Sequence, residues 1–292
     1  KNKSLSLKLY LTEHAELTLI NRLTVKSLLE LSPSDVFSKI YKEDFSEFIN
    51  NNQFVDVLHV AKPTLSAQQL VDILKPIKPR LYSISSSLEE SPEEVHLTLN
   101  HVASSTEYGQ RFGLASHHLT QELEEGDGVS VYIEKNQKFK LPLGEEPIIM
   151  VGPGTGIAPF RAFIEERQAT GSSGKNWLFF GDRSHRTDYL YGDEWGEYKK
   201  DGILNELDLA WSRDQTEKVY VQHKMLEKGA ELWDWLQNGA LFYVCGDASR
   251  MAKDVDQALR TIAQQQGSMS EDDSAVWVKT LQKERRYLKD VY

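Results

Sequence analysis

Three glycines in five positions, Gly152-Pro153-Gly154-Thr155-Gly156, stand between the apolar run Ile148–Val151 and a helical pattern that starts near Ile157. Glycines let a backbone come close to a diphosphate. A helix N-terminus adds free N–H groups and the positive end of the peptide dipoles. A tight turn without a ligand uses the same residues; the strand–turn–helix setting is what points to a nucleotide. Further on, Trp211-Ser212-Arg213 leaves another apolar run, with Lys218, Val219, Tyr220, Val221 and Gln222 close behind. Ser212 and Arg213 can hold a sugar phosphate, Lys218 adds charge, Tyr220 offers a ring face and Gln222 an amide. Singly these are ordinary loop residues. Together they favour NADP over NAD, with Gly152, Gly154, Thr155 and Gly156 at the pyrophosphate.

Other residues suit redox chemistry. Arg80-Leu81-Tyr82-Ser83 places a guanidinium, an aromatic face and a hydroxyl in one short stretch. A planar ring needs the second and a diphosphate the first. By itself, Tyr82 is an ordinary strand aromatic. Cys245-Gly246-Asp247 ends an apolar run, where a cysteine commonly fills a core. Asp254 lies one turn into the next helical pattern and equally suits the helix dipole. The chain closes on Asp290-Val291-Tyr292.

The elements that must position these groups change in kind along the chain. Residues 1–76 are helical in pattern, with Thr24 and Ser66 as N-caps and a longer helix carrying Val36 to Phe48. Over 77–146, the stretches Arg80–Ser85, Val95–His101 and Val129–Ile133 alternate like half-buried strands. These are too few to close a barrel, a first sign that the chain is a piece of something longer. From 147 to 292 short buried strands alternate with helices: Ile148–Val151, Trp177–Phe180, Leu207–Ala210 and Leu241–Cys245. That pattern means a doubly wound parallel sheet. Helices are expected over 193–200, 226–237 and 251–265, and from Ser270.

Composition narrows the classes. The 292 residues suggest two domains. The net charge of −10 argues against non-specific nucleic-acid binding and against docking on anionic lipid. The single cysteine excludes an internal disulfide and fits a reducing, cytoplasmic setting. No metal centre is expected. Lys1-Asn2-Lys3 is not the start of a signal peptide, and the missing initiator Met again suggests a fragment.

Arg80-Leu81-Tyr82-Ser83 resembles the flavin motif of the ferredoxin–NADP reductase superfamily. The resemblance implies an FAD-binding antiparallel β-barrel, incomplete at its N-terminus, with a helical connecting insert, followed by the NADP-binding sheet. Arg80 would meet the FAD pyrophosphate, Tyr82 the isoalloxazine, and Ser83 the region of flavin N5. Gly113-Leu114-Ala115-Ser116 resembles the second flavin motif; Thr18 and Thr98-Leu99-Asn100 resemble weaker FAD contacts. Near Ser104 the aromatic that some relatives place on adenine is absent. A terminal aromatic over the flavin, here Tyr292, marks the diflavin reductases, and their catalytic Ser, Cys and Asp fall on Ser83, Cys245 and Asp290.

Within that group, the runs Lys175–Gly181, Asp208–Gln215 and Tyr243–Asp247 resemble the sulfite reductase flavoproteins. The implied function is hydride transfer from NADPH to FAD. Electrons would then pass through FMN, on a domain absent here, to a sulfite-reducing haemoprotein, in a hetero-oligomer serving cysteine biosynthesis. A reductase with another acceptor, as in cytochrome P450 reductases, or a non-enzymatic flavin and NADP scaffold are the alternatives.

Overall fold

A computed structural model describes residues 5–292; Lys1–Ser4, and with them the N-terminal tripeptide considered above, lie outside the described residues. The chain divides into two compact units. One runs to Leu81 and resumes over Leu99–Ser130; the other comprises Tyr82–Thr98 and Val131–Tyr292.

The first unit is built on helices Leu7–Glu13, Arg22–Leu31, Asp35–Glu43, Phe45–Asn51, Phe54–Ala61 and Ala67–Ile73. Their apolar faces meet around Val25, Leu28, Phe37, Phe54 and Val57, all essentially inaccessible to solvent. Ser66 caps its helix, accepting from the Gln69 N–H. Thr24 does not. Asn21 is the cap, accepting from Leu23 and Thr24, and Thr24 lies inside the helix, donating to the Ile73 carbonyl at 3.2 Å. The helix expected from Val36 to Phe48 is two, parted at Asp44, whose backbone leaves the helical region. Helices Leu7–Glu13 and Phe54–Ala61 have no counterpart in the sequence reading.

The antiparallel sheet of this unit is a single hairpin, β1 (Ala103–Thr106) and β2 (Gly109–Phe112). The three stretches expected as strands before residue 134 form no strands; among the described residues their one bridge joins Ile84 to Leu97. Val131, Tyr132 and Ile133 are 77, 60 and 60 % exposed. Alternation marks a residue's two faces, but a strand also needs a neighbour to bond, and among the described residues Val129–Ile133 pairs with none.

The second unit holds five parallel strands: β3 (Ile148–Val151), β4 (Asn176–Asp182), β5 (Glu206–Trp211), β6 (Leu241–Gly246) and β7 (Tyr287–Val291). Their order across the sheet is β5-β4-β3-β6-β7. Successive residues face opposite sides. Ile149, Val151, Trp177, Phe179, Phe242 and Val244 pack with the helices over 221–237, 251–267 and 271–283. Ile148, Met150, Leu178, Phe180, Tyr243 and Cys245 pack on the other side, against Phe160, Ile164 and Trp195. Both faces are covered, which is why these strands read as unbroken apolar runs. The fold is thus α/β, with a small antiparallel sheet and a doubly wound parallel one. The expected helix over 226–237 is also two, Val221–Glu227 and Gly229–Gln237. The fifth strand, β7, is not among the strands that the sequence pattern predicts.

Candidate functional site

Chain direction across the parallel sheet reverses between β3 and β6: the strands after β3 proceed to β5 on one side, then the chain returns to β6 on the other. Ligands of such sheets sit at the carboxyl ends of the strands, at this switch point. The glycine turn lies there. Gly152 donates to the Phe179 carbonyl at 3.0 Å, and Gly154 has φ +57°, the left-handed region. A Cβ on Gly156 would stand 2.2 Å from the Cys245 carbonyl oxygen, so only glycine fits between the turn and β6. One added to Gly154 would meet nothing nearer than Asp182 Oδ2 at 3.8 Å, so this side of the turn is open. A short 3-10 turn, Gly154–Ile157, leads into helix Ala158–Ala169.

At the end of β6, Cys245 is fully buried and in register with Asp290 of β7. Ser83 donates to Asp290 Oδ2 at 3.5 Å, and its hydroxyl acts to lower the pKa of the Cys245 thiol. Burial, then the Asp290 charge, push that thiol up to about 12, against the lowering effect of Ser83. Cys245 is therefore a neutral, polarisable group at physiological pH and not a thiolate. Burial also raises Asp290 above the ordinary carboxylate range, with the Ser83 hydroxyl opposing. Asn136 donates to its other oxygen at 3.4 Å, a neighbour with no signal in the sequence pattern.

Two residues on, Tyr292 is anchored by its backbone: its N–H donates to Gly246, and its carbonyl accepts from Ala248, both at 3.0 Å. Its side chain is 66 % exposed, and its hydroxyl lies 3.2 Å from Thr155 Oγ1 in the glycine turn. Ser83, Cys245, Asp290, Thr155 and Tyr292 thus form one connected group at the switch point.

The expected phosphate readers follow β5. The Ser212 and Arg213 amides donate to Asp182 and Arg183 carbonyls at 2.9 and 2.8 Å, fixing the loop beside the end of β4. Among the described residues, neither the Arg213 guanidinium nor the Lys218 ammonium has a hydrogen bond or ion pair, and both are exposed. Tyr220, 43 % exposed, is the N-cap residue of helix Val221–Glu227. Val221 is buried and Val219 packs against the same core, so these two support the loop. Gln222 donates to Asp254 Oδ2 at 3.2 Å, which joins two of the expected contacts.

The flavin motif is divided between the units. In the first, Arg80 pairs with Glu16 at 2.6 Å and donates to the Lys78 carbonyl, while Glu16 accepts from Thr18 Oγ1 at 2.6 Å. Burial works against the Glu16 charge, but the bonds from Arg80 and Thr18 hold its pKa below the usual value. Glu16, which the sequence did not single out, is what brings Thr18 and Arg80 together. Arg80 keeps further N–H donors for a diphosphate. Gly113 opens a short helix, Leu114–His117, and a Cβ on it would stand 2.6 Å from Ser116 Oγ. Ser116 accepts from the Val102 N–H at 3.2 Å. Leu81 is 67 % exposed. Leu99 is half-buried and Asn100 exposed. In the second unit Tyr82 and Ser83 are half-buried, and Thr98 Oγ1 lies 2.8 Å from the Tyr191 hydroxyl. The free cations after β5 and the glycine-only turns fit a dinucleotide phosphate and a flavin diphosphate.

An FAD binding domain matches residues 21–118 and an oxidoreductase NAD-binding domain matches residues 150–257. The first match takes in the second flavin motif, and the second takes in the glycine turn and the loop after β5. Along nearly all its length the chain is similar to the sulfite reductase [NADPH] flavoprotein alpha-component. It is 52 % identical to that of Vibrio cholerae over 293 residues, covering 99 % of this chain and 48 % of the relative. To that of Aliivibrio fischeri it is 50 % identical over 292 residues, with 99 and 48 % covered. To that of a Shewanella species it is 48 % identical over 298 residues, with 100 and 49 % covered. The chain spans about half the length of the curated relatives it matches. Among the described residues, no helix is long and apolar enough to cross a membrane.

Proposed function

We propose that the chain takes hydride from NADPH onto FAD as the pyridine-nucleotide end of a sulfite reductase flavoprotein. The observation that carries this reading is the connected group at the switch point. Ser83, from the flavin motif, bonds to Asp290, which pairs in register with Cys245, and Tyr292 touches the nucleotide turn at Thr155. The sequence falls into a helical connecting part (1–76), a flavin-binding part (77–146) and a nucleotide-binding part (147–292).

The turn from Gly152 to Gly156 receives the pyrophosphate, and Ser212, Arg213 and Lys218 the 2′-phosphate. Tyr220 and Gln222 flank the adenosine, with Asp254 bonded behind Gln222. In the flavin part, the first unit offers Arg80, Gly113 and Ser116 to a diphosphate, with Thr18, Leu81, Leu99 and Asn100 as further FAD contacts, and the second unit offers Tyr82 to a planar ring, with Thr98 as a further contact. FAD, when bound, supplies an acceptor that takes two electrons together and releases them singly.

The protein's own contribution is orientation in a site from which water is excluded. Ser83 and Asp290 present a hydroxyl and a carboxylate where positive charge develops on the nicotinamide. Cys245, neutral and buried, bounds the pocket without competing as a nucleophile. Tyr292 occupies the approach and yields it when the nicotinamide arrives. Electrons then leave through an FMN domain to a haemoprotein beta partner in a cytoplasmic hetero-oligomer.

Removal of Tyr292 tests the site. Displacing this ring costs binding energy that the two nucleotides repay unequally. Deletion is therefore expected to change the ratio of kcat/KM for NADPH over NADH, and an unchanged ratio would contradict the gate.

A further inference from the structure

Residues 84–87, which follow Ser83, have little sheet to hold them; among the described residues their one ladder contact is the isolated bridge Ile84 to Leu97. What holds them is a side chain from the far side of the glycine turn. Arg161 lies on helix Ala158–Ala169, five residues beyond Gly156. Its Nη1 donates to the Ser85 carbonyl at 2.8 Å and to His96 Nδ1 at 3.3 Å. An arginine is always charged and can only donate. His96 must therefore accept at Nδ1 and carry its proton on Nε2, which faces Glu94 at 2.9 Å.

The remaining contacts complete a cage. Arg161 Nε and Nη2 grip Glu194 with two bonds, at 2.6 and 3.2 Å, and Nη1 pairs with Glu165 at 2.7 Å. The guanidinium also sits 4.8 Å from the centre of the Tyr191 ring. The other oxygen of Glu165 accepts from the Ser87 N–H at 2.8 Å. Tyr191 in turn reaches Thr98.

Arg161 and Glu165 side chains are only 12 and 5 % exposed. Burying these charges is costly unless each is paired, and removing one leaves the others uncompensated. The arrangement therefore has one low-energy geometry, and Ser85 and Ser87 belong to it.

We infer that Arg161 is a positioning residue: it locks residues 85–87 to the helix that starts at the nucleotide turn and so sets Ser83 against Cys245 and Asp290. The assignment rests on the hydride-transfer reading for its consequence, though not for its geometry. The glycine turn and the Ser83 hydroxyl become parts of one rigid body, so that a nucleotide seated on the turn meets Ser83 at a fixed distance.

Arg161→Met in the full chain separates the two. Without cofactors, amide hydrogen exchange at residues 83–87 is expected to accelerate at least about tenfold, with exchange across Ile148–Val151 unchanged. Affinity for 2′,5′-ADP, a probe that reads only the phosphate side, should stay within about twofold. In the FAD-loaded chain kcat for NADPH oxidation should fall about 100-fold, the scale of a 1 Å misplacement, with KM nearly unchanged. Unchanged exchange at 83–87, or a loss confined to KM and to 2′,5′-ADP affinity, would overturn the assignment. Glu194→Gln, which weakens the same grip from a less buried residue, gives the same pattern in smaller measure and serves if Arg161→Met does not fold. If wild-type chain loaded with FAD is not reduced by NADPH, the functional reading fails, and the exchange experiment still decides the role of Arg161.

Discussion

Among the described residues, Arg213 and Lys218 are cations without hydrogen-bond or ion-pair partners, whereas Arg161 is enclosed and ion-paired and Arg167 is enclosed and hydrogen-bonded. That contrast is the residue-scale basis for assigning the first two to an external anion. A charge-assisted contact to a phosphate contributes about 1.5–3 kcal/mol, or roughly 10- to 100-fold in affinity. Arg213→Ala is expected to weaken NADPH by about that factor and leave NADH nearly unchanged, as titration of each nucleotide would show. Equal losses would remove the 2′-phosphate from this loop. Cys245 gives a second expectation. With its thiol pushed up to about 12 by burial, it should resist iodoacetamide in the native protein at pH 8 and react on unfolding. Ready native labelling would mean that the pocket is open.

Among the elements, the glycine turn and helix Met251–Gly267 have the most specific requirements. Gly156→Ala places a methyl group 2.2 Å from the Cys245 carbonyl, and backbone cannot yield as a side-chain tip can. The expected cost is about 1–3 kcal/mol, visible as a lower denaturation midpoint. Asp247 accepts from the Ser249 side chain and from the Met251 and Arg250 amides, which holds its pKa well below the ordinary 3.8. A depressed carboxylate contributes stability that is present above its unfolded pKa and lost as pH falls through the folded one. Asp247→Ala should therefore cost about 1 kcal/mol at neutral pH, the scale of a lost helix cap. The deficit should shrink below about pH 4 in acid-unfolding curves. A deficit that grows towards acid would contradict the assignment.

The two halves of the molecule differ in how far their sequence discloses them. Ile148–Val151, Trp177–Phe180 and Leu241–Cys245 read as strands because both faces of the parallel sheet are covered and every residue had to be apolar. The candidate site residues can be named from sequence where chemistry restricts the choice, as at Gly156, Arg213 and Ser83. Strand β7 cannot be, because Tyr287–Val291 mixes charged and apolar residues, and its place beside β6 depends on a partner distant in sequence. Asn136 and Glu16 were missed for the same reason: each acts through one contact with a remote residue. In the flavin part, alternation at Val129–Ile133 predicted a strand that has nothing to pair with.

Hydride delivery from NADPH to a flavin can be watched by anaerobic stopped-flow mixing of the FAD-loaded chain with NADPH. Rapid bleaching of the flavin's visible absorbance is expected, slower with NADH, and strongly slowed in Ser83→Ala and Asp290→Asn with FAD still bound. A flavin that stays oxidised in the presence of saturating NADPH would contradict hydride delivery.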